Sequence, residues 1–224
     1  MTDSAIILAC SSLKDYVKEA QQKLNTEIPA VYLSRKYHRD PQEMKEHIID
    51  ALSEMPEEIG TVLVVMGYCG GSWEGVSCDK RLVIPKVDDC VSLLLQLNDE
   101  PVSDLKKPGH FYVREKDPSK ESIKGIFERM AADLDEETRA RYLKDWQDIF
   151  SGISIMDTGI NGCRRQEYYD AVKVDADWLE AELDYVSAGT HLIEKLLKGD
   201  WDGQFLVLEP GEKANSKDIL IDRG

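Results

Sequence analysis

No apolar run in this chain approaches the ~20 residues that a membrane-spanning helix needs. The N-terminal Met1-Thr2-Asp3-Ser4 lacks the positive charge that opens a signal peptide. Basic charge is scarce: 28 Lys and Arg stand against 43 Asp and Glu, a net charge of −15. Such a balance cannot neutralise a run of phosphates, which argues against nucleic acid, and an anionic membrane would repel it. The sequence has no phosphate-binding P-loop, no G-x-G-x-x-G turn after a strand, no G-x-S-x-G elbow and no H-E-x-x-H helix. Nucleotide-dependent and serine- or zinc-hydrolase readings therefore have no motif to stand on. Only four histidines occur, and none has a partner by spacing. These absences predict a cytoplasmic protein with a solvated acidic exterior, in a compartment where thiols stay reduced. The odd count of five cysteines also weakens a disulfide framework. The thiols are then free, metal-bound or redox-active.

A length of 224 residues suffices for a real core. Short continuous apolar runs alternate with amphipathic stretches, the pattern of strands buried on both faces with crossover helices between them. The predicted fold class is α/β, a mainly parallel, Rossmann-like sheet flanked by helices. Strands are read at 5–9, 28–33, 61–66, 82–85, 111–113, 153–156 and 205–208. Helices are read from 13, from 40 to 55, across 91–97, from 117 to 150 and from 164 to 198. Asp40-Pro41 and Asp117-Pro118 each offer a capping acid followed by proline at the first helical position, and a break is expected near Leu134-Asp135. A composition shift at 98–109 is the one plausible seam. It leaves either one domain over 1–224 or two lobes, 1–100 and 108–224.

The strongest feature is the placement of the cysteines. Cys10, Cys69, Cys90 and Cys163 each lie just after a predicted strand. In an open parallel sheet, ligands bind outside the carboxyl ends of the strands. Cys10 precedes Ser11-Ser12 and a helix start, where backbone N–H groups favour a thiolate. Cys69 lies beside Gly70 and Gly71, which let backbone approach a ligand closely. Cys90 follows Asp88-Asp89, whose charge raises a thiol pKa unless the acids cap the helix or meet a cation. Three thiolates on separate loops can hold zinc, with Cys163, a histidine or substrate as fourth ligand, or an iron–sulfur cluster. The separations match no local motif such as C-x-x-C. Cysteine also serves as a small buried hydrophobe, and that reading stays open. Cys78 precedes a strand and is expected at the opposite edge as a structural residue. Asp157 to Arg165, with glycines, Thr158 and two arginines, reads as an ordinary turn or an anion site. Trp73 and Glu74 are a possible cover for the pocket, or core.

The segments Ile7-Leu8-Ala9-Cys10, Gly67-Tyr68-Cys69-Gly70-Gly71 and Leu82 through Cys90 resemble the domain-of-unknown-function family numbered 1638; Phe111-Tyr112-Val113 and Gly199-Asp200-Trp201 are compatible with it. Members of that family are often encoded near corrinoid-dependent methyltransferases in anaerobes. The resemblance implies a role in one-carbon or methyl-transfer metabolism and a corrinoid protein or methyltransferase as partner.

The residues thus lead to a cysteine-ligated metal or iron–sulfur protein, with Cys10, Cys69, Cys90 and Cys163 as ligands and Gly70, Gly71 and Asp89 lining the site. A metal-free thiol enzyme, with Cys10 or Cys69 as nucleophile and Asp89 assisting, is the alternative. An acidic interaction subunit with structural cysteines is a third.

Overall fold

The computed structural model describes residues 4–220. The chain divides into two compact units, residues 1–105 with 190–224 and residues 106–189.

The first unit opens with β1 (Ser4–Cys10), α1 (Lys14–Leu24), β2 (Ala30–Leu33), α2 (Pro41–Ser53), β3 (Ile59–Val65), β4 (Arg81–Pro85) and α3 (Cys90–Leu95). The second unit contributes β5 (His110–Val113), α4 (Ile123–Met130), α5 (Glu136–Ile149), β6 (Gly152–Asp157), α6 (Gln166–Leu179) and β7 (Glu182–Ser187). The chain then returns to the first unit as α7 (His191–Lys198), β8 (Phe205–Leu208) and α8 (Ser216–Ile219).

In the first unit the strand order is β2-β1-β3-β4-β8. Its first four strands run parallel, and β8 pairs antiparallel with β4. Ile7, Leu8, Ala9 and Cys10 are all fully buried, as expected of a strand covered on both faces. Leu8, Val62, Val64, Leu82 and Ile84 share one core with Met44, Ile48 and Leu52 of α2. The Asp40-Pro41 device works as expected: the Asp40 carboxylate accepts hydrogen bonds from the Gln42 and Glu43 N–H groups, and α2 begins at the proline. α7 packs on α1 and against β3 and β4.

The second unit has a three-stranded parallel sheet, β5-β6-β7. Ile153 and Ile155 meet Ile123, Phe127, Trp146, Tyr168 and Val172 of the three helices. The expected break falls where Asp135 caps α5 by accepting from the Thr138 N–H. One expectation is corrected. The stretch 164–198, read as continuous helix, contains β7 between α6 and α7. α6 ends on Glu180, which takes the left-handed conformation at φ 58. That position is ordinarily glycine, so no breaker marked the stop.

Candidate functional site

The parallel order of the first unit sets up the site before any side chain is considered. β1, β3 and β4 are neighbours, and β2 flanks β1. Strand neighbours lie about 4.8 Å apart. The segments that leave the carboxyl ends of these four strands carry His38, Cys10, Cys69 and Cys90 in sheet order. The order reverses between β1 and β3, and that crevice is the switch point where open α/β sheets bind ligands. Cys10 and Cys69 flank it.

Cys10 ends β1 and is fully buried. Its Sγ lies 3.1 Å from His38 Nε2 and 3.0 Å from Ser12 Oγ. Burial acts to raise this thiol, but the hydrogen bonds from His38 and Ser12 outweigh it and hold Cys10 below the ordinary thiol range. His38 sits on a short 3₁₀ segment, Arg35–Arg39, none of whose residues is buried. The Arg35 N–H donates to Ser11 Oγ at 3.0 Å, pinning that segment beside Cys10.

Cys69 follows β3 on a turn with φ 50 at Cys69, 70 at Gly70 and 106 at Gly71. A left-handed non-glycine residue costs about 1–2 kcal/mol, and such strain gathers at functional positions. The turn is held by its neighbour: the Tyr68 and Cys69 N–H groups donate to the Val87 and Asp88 carbonyls at 2.9 and 2.7 Å. Gly67 makes that approach possible, since a Cβ there would lie 2.5 Å from Asp89 Cα. Gly70 faces Pro41 at the start of α2, where a Cβ would stand 3.2 Å from Cγ.

Cys90 is the first residue of α3. The Asp89 carboxylate caps that helix by accepting from the Val91 and Ser92 N–H groups at 3.0 and 2.8 Å. Asp89 therefore positions Cys90, and its oxygen is engaged with backbone. Burial pushes the Cys69 thiol well up, and the charges of Cys90, Asp89 and Cys10 push it further. Cys69 thus senses both other thiols of this edge. Among the described residues, no group of three or more His, Cys, Asp and Glu side chains is placed so that it could hold a metal ion.

The remaining residues singled out from sequence fall elsewhere. Cys163 belongs to the second unit, buried after β6, where its thiol is hydrogen-bonded to Asp157. Burial and Asp157 both raise it. Arg164 pairs with Asp157 at 2.7 Å and lies over the Tyr185 ring at 4.2 Å. Cys78 precedes β4, and its Sγ donates to the Lys80 carbonyl at 3.3 Å. Trp73 is fully buried core. Glu74 braces the scaffold by accepting from the Tyr68 hydroxyl and the Ser216 N–H.

His38 is the residue that sequence reasoning set aside. No spacing marks it, yet it follows β2 as the cysteines follow their strands. The same carboxyl-edge rule, applied to all side chains and not to thiols alone, would have found it.

Fold and site together define an α/β protein whose carboxyl edge gathers three thiols and an imidazole at a switch point. The chain belongs to the family described as "Protein of unknown function (DUF1638)", which residues 32–197 match. That span includes His38, Cys69 and Cys90, and Cys10 precedes it. No curated protein and no solved structure matches the chain significantly.

Proposed function

We propose that the first unit holds a soft metal ion, with Cys10, Cys69 and Cys90 as thiolate ligands and His38 as the fourth donor. The observation that carries this reading is the placement of these four residues on the segments that leave four adjacent parallel strands, with Cys10 and His38 in contact. Cys₃His is a donor set that suits zinc, whereas an iron–sulfur cluster normally draws on four cysteines. Burial first, and then the charges of Cys90, Asp89 and Cys10, push the Cys69 thiol up; a cation would oppose both, because ligation deprotonates thiols. Loading requires the side chains to move together, since among the described residues no group of three or more His, Cys, Asp and Glu side chains is placed to hold a metal ion. Bound metal at this edge would act as a Lewis acid toward a ligand entering beside it.

The test is anaerobic purification under reducing conditions, elemental analysis, and titration of metal-free protein with Co²⁺. Stoichiometric metal and thiolate-to-cobalt absorption are expected, lost in Cys10→Ser, Cys69→Ser and Cys90→Ser and kept in Cys78→Ser. A folded protein that binds neither zinc nor cobalt refutes the reading.

The Cys10–His38 hydrogen bond favours a second reading, in which Cys10 is a nucleophile activated by the imidazole. It predicts covalent labelling of Cys10 by a substrate-like electrophile in metal-free protein. Its difficulty is the full burial of Cys10.

A further inference from the structure

The second unit carries a cleft of its own, about 730 Å³ in volume, between α4, α5 and β5. Every side chain that lines it belongs to that unit, and its volume falls within the range of small-molecule sites. One face of α5 builds it: Tyr142, Asp145, Trp146 and Ile149 follow the i, i+3, i+4, i+7 spacing of a single helix face. Phe111 of β5 and Phe150 close the floor against Trp146. The ring centroids stand 4.0 Å apart for Phe111 and Phe150, 5.6 Å for Phe111 and Trp146, and 5.7 Å for Trp146 and Phe150. Trp146 is buried and braced by Phe127 at 5.3 Å, so the floor is rigid before any ligand arrives. Met130 of α4 and Ile149 are 56% and 60% exposed; an occupant would take that apolar surface out of water.

Charge selects the occupant. Asp145 and Asp148 both line the cleft. Asp148 is paired with Lys144 at 2.8 Å, whereas Asp145 is exposed and has no hydrogen-bond or ion-pair partner among the described residues. Of the cations on the two helices, Arg139 pairs with Glu128, and Arg129 lies back toward Gly125. Arg141 stands one turn before Asp145 and makes no ion pair with it; exposed as both are, it weakens the field there without neutralising the carboxylate. Aromatic faces attract a cation within about 6 Å of the ring centroid, tryptophan most strongly. Rim and floor therefore favour positive charge, and the walls favour an apolar body.

We propose that this cleft binds a small organic amine, its flat apolar body against Phe111, Trp146 and Phe150 and its protonated nitrogen paired with Asp145. No residue of this site is shared with the thiol edge of the first unit.

The probes are three molecules of one shape and different charge: 3-phenylpropylamine, 3-phenylpropan-1-ol and 3-phenylpropanoate. Each is titrated into the full chain and followed by calorimetry and by the methyl NMR signals of Met130 and Ile149. The amine should bind with a Kd of about 1 mM or tighter. At low salt it should bind roughly tenfold more tightly than the alcohol, with the carboxylate weakest. The advantage should shrink as salt screens the exposed Asp145. Asp145→Asn should bring the amine close to the alcohol and leave the alcohol's own affinity unchanged. Ile149→Arg, at an exposed rim position, should fold normally and weaken amine binding. Equal affinity for the three probes, an amine preference that survives Asp145→Asn, or methyl signals that no probe moves overturns the proposal. So does a concentration-dependent dimer that Ile149→Arg abolishes, which would assign the cleft to a second copy of this chain.

Discussion

Gly67→Ala tests whether the loops after β3 and β4 position the site as a unit. A Cβ at residue 67 would lie 2.5, 2.7 and 2.8 Å from the Cα, N and C atoms of Asp89. All three are backbone, so no side-chain rotation relieves the clash. Ordinary contact between such atoms starts near ~3.5 Å, which requires the two loops to separate by about 1 Å. Overpacking typically costs ~1–3 kcal/mol, and a backbone-to-backbone clash belongs at the upper end. In a chain of this size, about 3 kcal/mol lowers Tm by roughly 6–12 °C. The separation also strains the Cys69 N–H to Asp88 carbonyl bond and moves Cys69 away from Cys90. Metal sites tolerate only ~0.2 Å in ligand distance, so cobalt affinity should fall more steeply than stability. Gly203→Ala is the control, because a Cβ there meets nothing within 4 Å and φ is not positive. Calorimetry and cobalt titration on both variants decide the matter. A Gly67→Ala protein as stable as wild type, or a Gly203→Ala protein equally damaged, refutes the reasoning.

Three further outcomes follow from the same structure. Asp89→Ala removes the α3 cap and should cost ~0.5–2 kcal/mol by urea denaturation, with weaker cobalt binding; Asp89→Asn, which still caps, should recover most of both. Lys195 is 10% exposed and bonds Asp99, Asp202 and Gln204; Lys195→Met should destabilise by less than the ~3–5 kcal/mol of a fully buried pair, because Asp99 and Asp202 are 70% and 46% exposed. Burial opposes the Lys195 charge, but hydrogen bonds to Asp202 and Asp99 raise its pKa overall; the urea midpoint should therefore hold up to pH ~10.4 and decline as pH climbs through the raised value.

Much of the scaffold could be read before the structure. The unbroken apolar run through Cys10 announced a strand buried on both faces, Asp40-Pro41 marked where α2 begins, and the break expected near Leu134-Asp135 falls at the cap of α5. Asp117-Pro118 starts only a short 3₁₀ turn, and α4 begins at Ile123 under a Ser122 cap. What escaped was of two kinds. β7 was hidden because Glu180 ends α6 without a glycine, and because Leu183 and Tyr185 supply core contacts at a spacing too short to stand out between two helices. His38 was hidden because its relation to Cys10 exists only through the pairing of β1 with β2, where Cys10 aligns with Leu33. Twenty-eight residues separate the partners, and no local motif records a contact made by sheet register.

The two functional readings part over accessibility, and the pH dependence of alkylation separates them. In metal-free protein Cys10 is the thiol held low, by His38 and Ser12 against the effect of burial. Cys69 is pushed well up by burial and by the neighbouring charges. Cys10 should therefore ionise at lower pH than Cys69, although Cys10 is fully buried. Labelling by neutral iodoacetamide, followed by mass spectrometry of each cysteine peptide, reads both properties. Cys10 should show a lower pH midpoint than Cys69 and a limiting rate far below that of free cysteine. His38→Ala should move the Cys10 midpoint upward, because the strongest stabilising hydrogen bond is gone, and should raise the limiting rate, because the exposed cover is gone. Ser12→Ala should move the midpoint in the same direction. A Cys10 midpoint that stays put or falls in His38→Ala shows that the hydrogen bond does not control the thiol. A fast limiting rate in wild type shows that the sulfur is reachable and favours the nucleophile. A slow one leaves a thiolate that is charged but covered, which suits a ligand: a metal ion needs the anion and one opening, whereas an attacking nucleophile needs a substrate already in contact with its sulfur.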